Sequence, residues 1–187
     1  MKHIDSIDKK IISKIYKLTK QCYIMNKIEL ETIGTIITPF EKPEGMPIQP
    51  TGAKGVKGEI HLKDKYVEGL KDIEGFSHLN IIYYLHLTNG NALTVKPFLD
   101  NKPHGVFATR SPKRPNNIGL STVKLDSVEN NILYISNIDV VSGTPLLDIK
   151  PYVPQLYEDT VEDLKIGWFE TKYSNAKDKK ADTRFVE

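Results

Sequence analysis

The hydrophobic pattern of the chain changes at about residue 30, from a helical period to short alternating runs. In the first thirty residues, large apolar side chains recur at spacings of four, three, four and three residues, the pattern of a helix that buries one stripe. The stripe consists of Ile11, Ile15, Leu18, Cys22 and Met25. We predict an amphipathic, basic helix within residues 1–30, packed against the body of the protein or against a second subunit.

The middle of the chain consists of short runs rich in β-branched and aromatic residues, which are typical of strands. Eight runs are candidates: residues 29–38, 58–63, 78–87, 93–96, 105–108, 118–126, 132–136 and 146–149. Residues that favour turns separate them, as at Asn89-Gly90. Many short strands without a long helix between them favour a mainly β fold, a small closed or partly open β-barrel or a sandwich, over a doubly wound α/β sheet.

Length and composition limit the chain to one main domain with an appendage, because 187 residues are too few for two large domains. We predict three parts: the helix in residues 1–30, a β-barrel domain in residues 31–156, and a C-terminal tail in residues 157–187 with at most one further strand. The single cysteine, Cys22, excludes an intramolecular disulfide. No apolar run approaches the ~18 residues of a membrane span, and we expect a cytoplasmic protein.

The net charge of +2 is too small to indicate a nucleic-acid partner, but the positive charge is unevenly distributed. Residues 1–30 carry a net charge of +4, and residues 96–124 carry +5. The first block is equally well explained as a solvated helix face. In the second block the charges alternate with glycine, proline and asparagine, which favours a binding loop over a packed element.

Several common catalytic motifs are missing from the sequence. It contains no P-loop, no dinucleotide-binding glycine pattern opening a helix, no HExxH and no GxSxG. The five histidines are too far apart for a local metal motif, so we expect no metal site. His78 and His86 fall on one face of a predicted strand, as part of a pocket or as hydrogen-bonded structural residues.

The stretch PHGVFATRSPKRPNNIGLS, residues 103–121, combines positive charge with restricted backbone. Pro112 and Pro115 limit the backbone around the turn, so that Arg110 and Arg114 are presented from a preorganised loop. Arginine is suited to bidentate binding of carboxylate or phosphate. A solvated surface loop is the alternative interpretation.

A second stretch, IDVVSGTPLLDIKPYVP at residues 138–154, interrupts a strand with a Ser-Gly-Thr-Pro segment. Such a segment exposes backbone N–H and C=O groups. These groups, in residues 142–145, are candidates for hydrogen bonding the polar edge of a base.

Four motifs together resemble the TsaA-like family, the tRNA methyltransferase O group. They are MPIQP at residues 46–50, FSHLNIIYYLH at 76–86, GVFATRSPKRPNNIGLS at 105–121 and DVVSGTPLLDIKPYVP at 139–154. The resemblance covers about residues 31–156. It implies a small β-barrel that binds S-adenosylmethionine without a Rossmann domain, forms a homodimer, and N6-methylates threonylcarbamoyladenosine beside the tRNA anticodon.

Matching positions in the family imply which residues contact the cofactor. They are Gln49, Pro50, Thr51, His86, Leu87, Arg110, Leu120, Ser142, Gly143, Thr144 and Pro145. In this interpretation Arg110 binds the methionine carboxylate and Leu120 covers the adenine. Ser142 stands where the family usually has aspartate, so contacts there are expected from the backbone.

The sequence leaves the catalytic residue open, with Asp139, Asp148, Tyr152 and His86 as candidates for a base. Lys113 and Arg114 are predicted to contact RNA from the outer turn of the basic loop. Two alternatives to tRNA methylation remain: the same barrel and cofactor acting on another substrate, and a non-catalytic barrel that binds RNA or senses S-adenosylmethionine.

Overall fold

The computed structural model describes residues 27–158, 165–170 and 172–185. The chain divides into two compact units, residues 1–31 and residues 32–187. In the first unit only residues 27–31 are described, and they have no regular secondary structure. The helix predicted in residues 1–30 therefore lies almost wholly outside the described residues.

The second unit is built mainly from β-strands. In its described residues these are β1 (Gly34–Ile37), β2 (Lys57–Leu62), β3 (His78–Tyr84), β4 (Thr94–Val95), β5 (His104–Gly105), β6 (Ile118–Glu129), β7 (Ile132–Ser136) and β8 (Thr144–Pro151). One short α-helix, α1 (Gln155–Glu158), follows β8. The connections contain 3-10 turns at Pro50–Gly52, Asp64–Leu70, Ile73–Gly75, Val106–Ala108, Gly167–Phe169 and Tyr173–Asn175.

Six of these strands close into an antiparallel barrel in the order β1, β2, β7, β6, β3, β8, with β8 pairing back onto β1. The strands β4 and β5 form a separate two-stranded sheet. Closure removes free strand edges from the barrel. The mainly β, barrel fold predicted from the short strands is confirmed.

Alternation of side chains along the strands produces the barrel core. In β3, Leu79, Ile81 and Tyr83 are buried while their neighbours are more exposed. Along the first part of β6, residues 119, 121, 123 and 125 are likewise buried. The completely buried aliphatic residues include Ile36, Ile60 and Leu133, and each such side chain contributes about 1.5–3 kcal/mol through its burial.

Turn chemistry fixes the register between the two hairpin strands β6 and β7. Asn130 adopts a left-handed conformation with φ of 55°, which asparagine tolerates better than most residues. The Asn131 side chain donates a hydrogen bond of 2.9 Å to the carbonyl of Leu62. The hairpin end is thereby tied to β2.

Some of the predicted strand boundaries are wrong. The run 105–108 is not a strand, because only His104–Gly105 pairs as β5 and Val106–Ala108 turns as a 3-10 helix. Thr109 closes that turn, its N–H and its hydroxyl both donating to the Val106 carbonyl. Residues 29–33 also lie outside β1, whereas β6 and β8 are longer than predicted.

The described part of the C-terminal tail forms 3-10 turns and one isolated β-bridge, between Pro47 and Lys180, in place of the further strand considered from the sequence. None of the helices in the described ranges has both the length and the apolar character needed to cross a bilayer.

Candidate functional site

An open cavity of about 590 Å³ lies between the barrel, its loops and the C-terminal tail. Its wall combines six parts: the segment 43–50, the end of β3 and the chain after it, residues 97–99, the basic loop that leads into β6, the residues around Asp139, and the C-terminal tail. This volume falls in the range of about 300–1,000 Å³ that is usual for small-molecule sites. The cavity is therefore large enough for a nucleoside-sized ligand.

Seven of the residues that the family resemblance assigned to the cofactor line this cavity. They are Gln49, Pro50, His86, Leu87, Arg110, Leu120 and Thr144. Four others, Thr51, Ser142, Gly143 and Pro145, are not part of its lining. Residues from four separate stretches of sequence are thus brought together, which periodicity alone does not predict.

Arg110 is fixed at the cavity by a contact with the opposite side of its loop. Its Nη2 donates a hydrogen bond of 2.6 Å to the carbonyl of Leu120. A guanidinium group has five N–H donors, so this bond leaves further donors for a ligand. The arrangement places a positive group beside an apolar surface formed by residues such as Leu120, which is half exposed.

The backbone of the Ser-Gly-Thr-Pro segment is used differently from the expectation. The N–H of Ser142 donates to the carbonyl of Phe40, and the N–H of Gly143 donates to the carbonyl of Ile36. Both donors are occupied in joining this segment to β1 and to the chain that follows it, so they are not available to a base edge. Within the segment it is Thr144 that reaches the cavity, with its Oγ1 lying 3.4 Å from Nδ1 of His86.

Arg114 supports the loop from within. Its Nη1 donates to the carbonyls of Thr109 and Val106, at 2.9 and 3.2 Å, and its guanidinium lies over the Phe107 ring at 5.8 Å. Arg114 therefore stabilises the shape of the basic loop. Lys113, the other residue predicted to contact RNA, is partly buried in the same loop and does not line the cavity.

A hydrogen-bonded chain of three side chains also lines the cavity: Tyr83, Ser121 and Asp139. The Ser121 hydroxyl donates to Asp139 Oδ1 at 2.8 Å, and the Tyr83 hydroxyl lies 3.0 Å from Ser121 Oγ. Gly119 pairs with Tyr83 across the strands. A Cβ at this position would overlap the Tyr83 ring, so the position requires glycine.

Burial is the largest influence on the pKa values of Tyr83 and Asp139 in this hydrogen-bonded chain. It raises the pKa of the Tyr83 hydroxyl far above its ordinary value, and the nearby Asp139 carboxylate adds to the effect. Burial likewise raises the pKa of Asp139, against the opposing hydrogen bond from Ser121 and the charge of Arg110. Tyr83 and Ser121 were not found from sequence, although a glycine within a strand signals a close approach at that point.

The described C-terminal tail, residues 165–170 and 172–185, forms one side of the cavity; we call it the C-terminal wall. Its Trp168 and Phe169 line the cavity and stack on each other at 4.0 Å between ring centroids. Trp168 also stacks on His104 at 4.5 Å, and its Nε1 donates to the carbonyl of Ala108 at 2.8 Å. None of the sequence motifs described above predicts this wall.

An ionic cluster anchors the C-terminal wall. One oxygen of Asp100 accepts from Lys172 at 3.0 Å, and the other lies 3.1 Å from Nε2 of His104. Lys172 first, and then His104, hold the pKa of Asp100 well below its ordinary value. Among the residues that the structure describes, no three histidine, cysteine or acidic side chains are grouped as metal ligands.

The fold and the site together define a class: a small closed β-barrel with an arginine-containing ligand cavity at its side. Residues 35–158 match the family model of the tRNA-methyltransferase O N-terminal domain. The chain belongs to this family.

Individual relatives show how far the similarity extends. The chain is 46% identical over 153 residues to a probable S-adenosyl-L-methionine-binding protein of Pyrococcus abyssi, covering 82% of each chain. It is 41% identical over 140 residues to the tRNA (adenine(37)-N6)-methyltransferase of Escherichia coli, covering 70% of this chain and 60% of that enzyme. The crystal structure of TrmO from Pseudomonas aeruginosa matches 76% of this chain and 62% of its own, at 37% identity and a TM-score of 0.61.

Proposed function

We propose that this protein is an S-adenosylmethionine-dependent methyltransferase that modifies N6 of adenosine 37 in tRNA, with the threonylcarbamoylated nucleoside as the acceptor. The observation that carries the proposal is the 41% identity to the E. coli tRNA (adenine(37)-N6)-methyltransferase, over a barrel whose cavity contains Arg110. The chain spans 60% of that enzyme's length, so its substrate is part of the proposal.

The donor set of the cavity suits this cofactor. The remaining N–H groups of Arg110 fit the methionine carboxylate, and Leu87 and Leu120 offer apolar surface for the adenine ring. The side-chain amide of Gln49 adds a polar group at the same cavity. When bound, the cofactor supplies an electrophilic methyl group on a sulfonium centre; the protein's contribution is to orient the acceptor nitrogen in line with that methyl group.

Arg110→Ala tests the cofactor assignment. We expect the affinity for S-adenosylmethionine, measured by calorimetry, to fall about tenfold to a hundredfold, because a charge-assisted hydrogen bond is worth about 1.5–3 kcal/mol. Lys150→Ala is the matched control, since Lys150 pairs with Asp148 on β8 and lies outside the cavity lining. Unchanged affinity in a folded Arg110→Ala variant would refute the assignment.

The acceptor is tested with labelled cofactor and two preparations of tRNA, one with and one without the threonylcarbamoyl group. Transfer of label to the modified tRNA alone supports the proposal. Transfer to neither, with cofactor binding intact, supports the alternative of a barrel that binds S-adenosylmethionine without catalysis. That alternative is favoured by the Pyrococcus relative, whose name describes binding only and of which the match covers 82%.

Contact with tRNA through the basic loop is part of the same proposal. Lys113→Ala tests this contact; Arg114→Ala would remove the bonds of Arg114 to the carbonyls of Val106 and Thr109. Losing one phosphate contact reduces the slope of log affinity against log salt by about one. An unchanged slope would argue against Lys113 as a phosphate contact.

A homodimer and a cytoplasmic location complete the proposal; the homodimer rests on the family resemblance, and the location rests on the sequence pattern. Light scattering of the purified protein tests for the homodimer, and we expect twice the mass of one chain. Fractionation of the source cells tests the location.

A further inference from the structure

The hydrogen-bonded chain in the cavity has a definite direction. Ser121 has a single hydroxyl proton, which it donates to Asp139 Oδ1. The Tyr83 hydroxyl, 3.0 Å from Ser121 Oγ, therefore donates to Ser121. Two hydroxyl groups in series thus point toward one carboxylate, and they fix its orientation at the cavity surface.

The surroundings of Asp139 make its carboxylate more basic than that of a solvated aspartate. Burial raises the pKa of Asp139, while Ser121 and the charge of Arg110 oppose that rise. The groups that face it are Tyr83, kept protonated by its own raised pKa, and Arg110; the other titratable groups that line the same cavity are His86, Arg114 and Asp182. Because its pKa is raised, the Asp139 carboxylate is a stronger base than a solvated aspartate.

Methyl transfer to an exocyclic purine nitrogen needs such a group. The nitrogen's lone pair is delocalised into the ring and, in a threonylcarbamoyl adenosine, into the carbonyl group as well. Removal of the N–H proton leaves the electrons of that bond on nitrogen, as a pair that can attack the methyl carbon. The product is neutral only if this proton leaves during or after the transfer.

We propose that Asp139 is the general base of the reaction, taking the proton from the nitrogen that receives the methyl group; this inference rests on the proposed function. The N–H bond breaks and its proton passes to a carboxylate oxygen of Asp139. The nitrogen pair forms the new bond to the methyl carbon, and the carbon–sulfur bond breaks with its electron pair remaining on sulfur. Ser121 and Tyr83 are positioning residues.

The other candidates from the sequence are less suited to this step. Asp148 is paired with Lys150 at 2.7 Å, and neither Asp148 nor Tyr152 lines the cavity. His86 does line it, with its Nδ1 near the Thr144 hydroxyl, but it is exposed and lacks the fixed hydrogen bonds that orient Asp139.

The main test compares Asp139→Asn with Asp148→Asn in the full-length protein. For Asp139→Asn we expect kcat on threonylcarbamoylated tRNA to fall about 10²- to 10⁴-fold, with cofactor affinity by calorimetry within about twofold of the parent. The acidic limb that the parent shows in its profile of kcat against pH should be absent from Asp139→Asn. Asp148 is a surface carboxylate on β8. Asp148→Asn should therefore leave kcat, cofactor affinity and the acidic limb of the pH profile unchanged.

Ser121→Ala tests the positioning role. Without the Ser121 hydrogen bond the ionised form of Asp139 loses stabilisation, so its pKa rises and the acidic limb of kcat should move to higher pH. Tyr83 lies one hydrogen bond further from Asp139, so Tyr83→Phe should move the acidic limb less. A purely structural role would lower stability without moving this limb.

A readout without cofactor completes the design. Potentiometric titration of the parent minus Asp139→Asn, with no ligand present, should reveal one carboxyl group titrating above the ordinary value of about 3.9. A group titrating at or below that value would count against the proposal.

Outcomes separate the two proposals. If the parent methylates tRNA and Asp139→Asn keeps its kcat, Asp139 is not the base although the proposed function stands. If Asp139→Asn loses cofactor affinity in step with activity, Asp139 binds the cofactor and the inference is wrong. If the parent itself transfers no methyl group, the proposed function fails and the inference fails with it.

Discussion

The barrel and the C-terminal wall enclose the same cavity but are stabilised by different forces. The barrel core consists of apolar side chains, among them Ile36, Leu133 and Leu146, that are completely buried inside a closed ring of strands. The C-terminal wall is attached by the ionic contacts of Asp100, by ring stacking of Trp168, and by the small apolar cluster around Phe185.

This contrast indicates which part of the cavity is rigid. Local opening is easiest where few apolar contacts must be broken, and the wall's apolar cluster has only three buried members, Val95, Val106 and Phe185. Among the described residues, two backbone hydrogen bonds join the wall to the segment 43–50: the N–H of Gly45 donates to the carbonyl of Ala181, and the N–H of Ala181 donates to the carbonyl of Met46. We therefore expect the barrel to keep its shape while the wall responds to pH, salt and ligand.

The largest effect is expected from a core substitution in the barrel. Leu133→Ala removes a completely buried side chain and should lower the free energy of unfolding by about 2–5 kcal/mol. Denaturant unfolding followed by circular dichroism measures it. The whole barrel should lose stability together, because closure links all six strands; a change limited to β7 would contradict a single cooperative unit.

Phe185→Ala makes the corresponding change in the wall, where Phe185 packs edge-on against Phe98 at 4.9 Å. Here the unfolding midpoint of the barrel should move little, because the wall opens before the barrel unfolds. The emission of Trp168, the single tryptophan, should shift toward that of exposed indole, and cofactor affinity should fall. A drop in barrel stability as large as that of Leu133→Ala would show that the two regions unfold as one.

The same contrast explains how much the sequence predicted. The barrel follows from alternation within each strand, a local signal, and the run 132–136 was predicted with its observed bounds. The site depends on contacts between distant residues, such as Trp168 with Ala108, for which a single sequence gives no signal. Arg110 was recognised because proline and family motifs surround it, whereas Tyr83 and Ser121 look like ordinary strand residues.

Acid should loosen the wall before it affects the barrel. The pKa of Asp100 is lowered by Lys172 and His104, so its contribution to stability is fully present above its unfolded value of about 3.9. It is lost as pH falls through the lower, folded value. Trp168 emission should therefore change below about pH 4, at a pH where the circular dichroism of the barrel is unaltered.

Asp100→Asn tests the cause of that transition. The variant should show a loosened wall already at pH 7 and no further Trp168 transition attributable to this carboxyl group. Asp148→Asn is the matched control, because it removes a paired carboxylate from the barrel surface. If Asp100→Asn and the parent have identical acid transitions, another group holds the wall.

Salt should have the smallest effect, and its size separates the ionic from the aromatic attachment of the wall. Raising sodium chloride from about 0.1 to 1 M shortens the screening length from about 10 to 3 Å. The pair of Arg184 with Asp182 lies within the wall and is partly exposed; such pairs contribute only about 0.2–1 kcal/mol. Asp100 is less exposed than Lys172 and is screened less, and stacked rings are not weakened by salt. Trp168 emission at pH 7 should thus change less with added salt than it does in acid.

A complete shift of Trp168 emission in 1 M salt would contradict this expectation. It would mean that charge alone attaches the wall and that the stack of Trp168 on His104 contributes little.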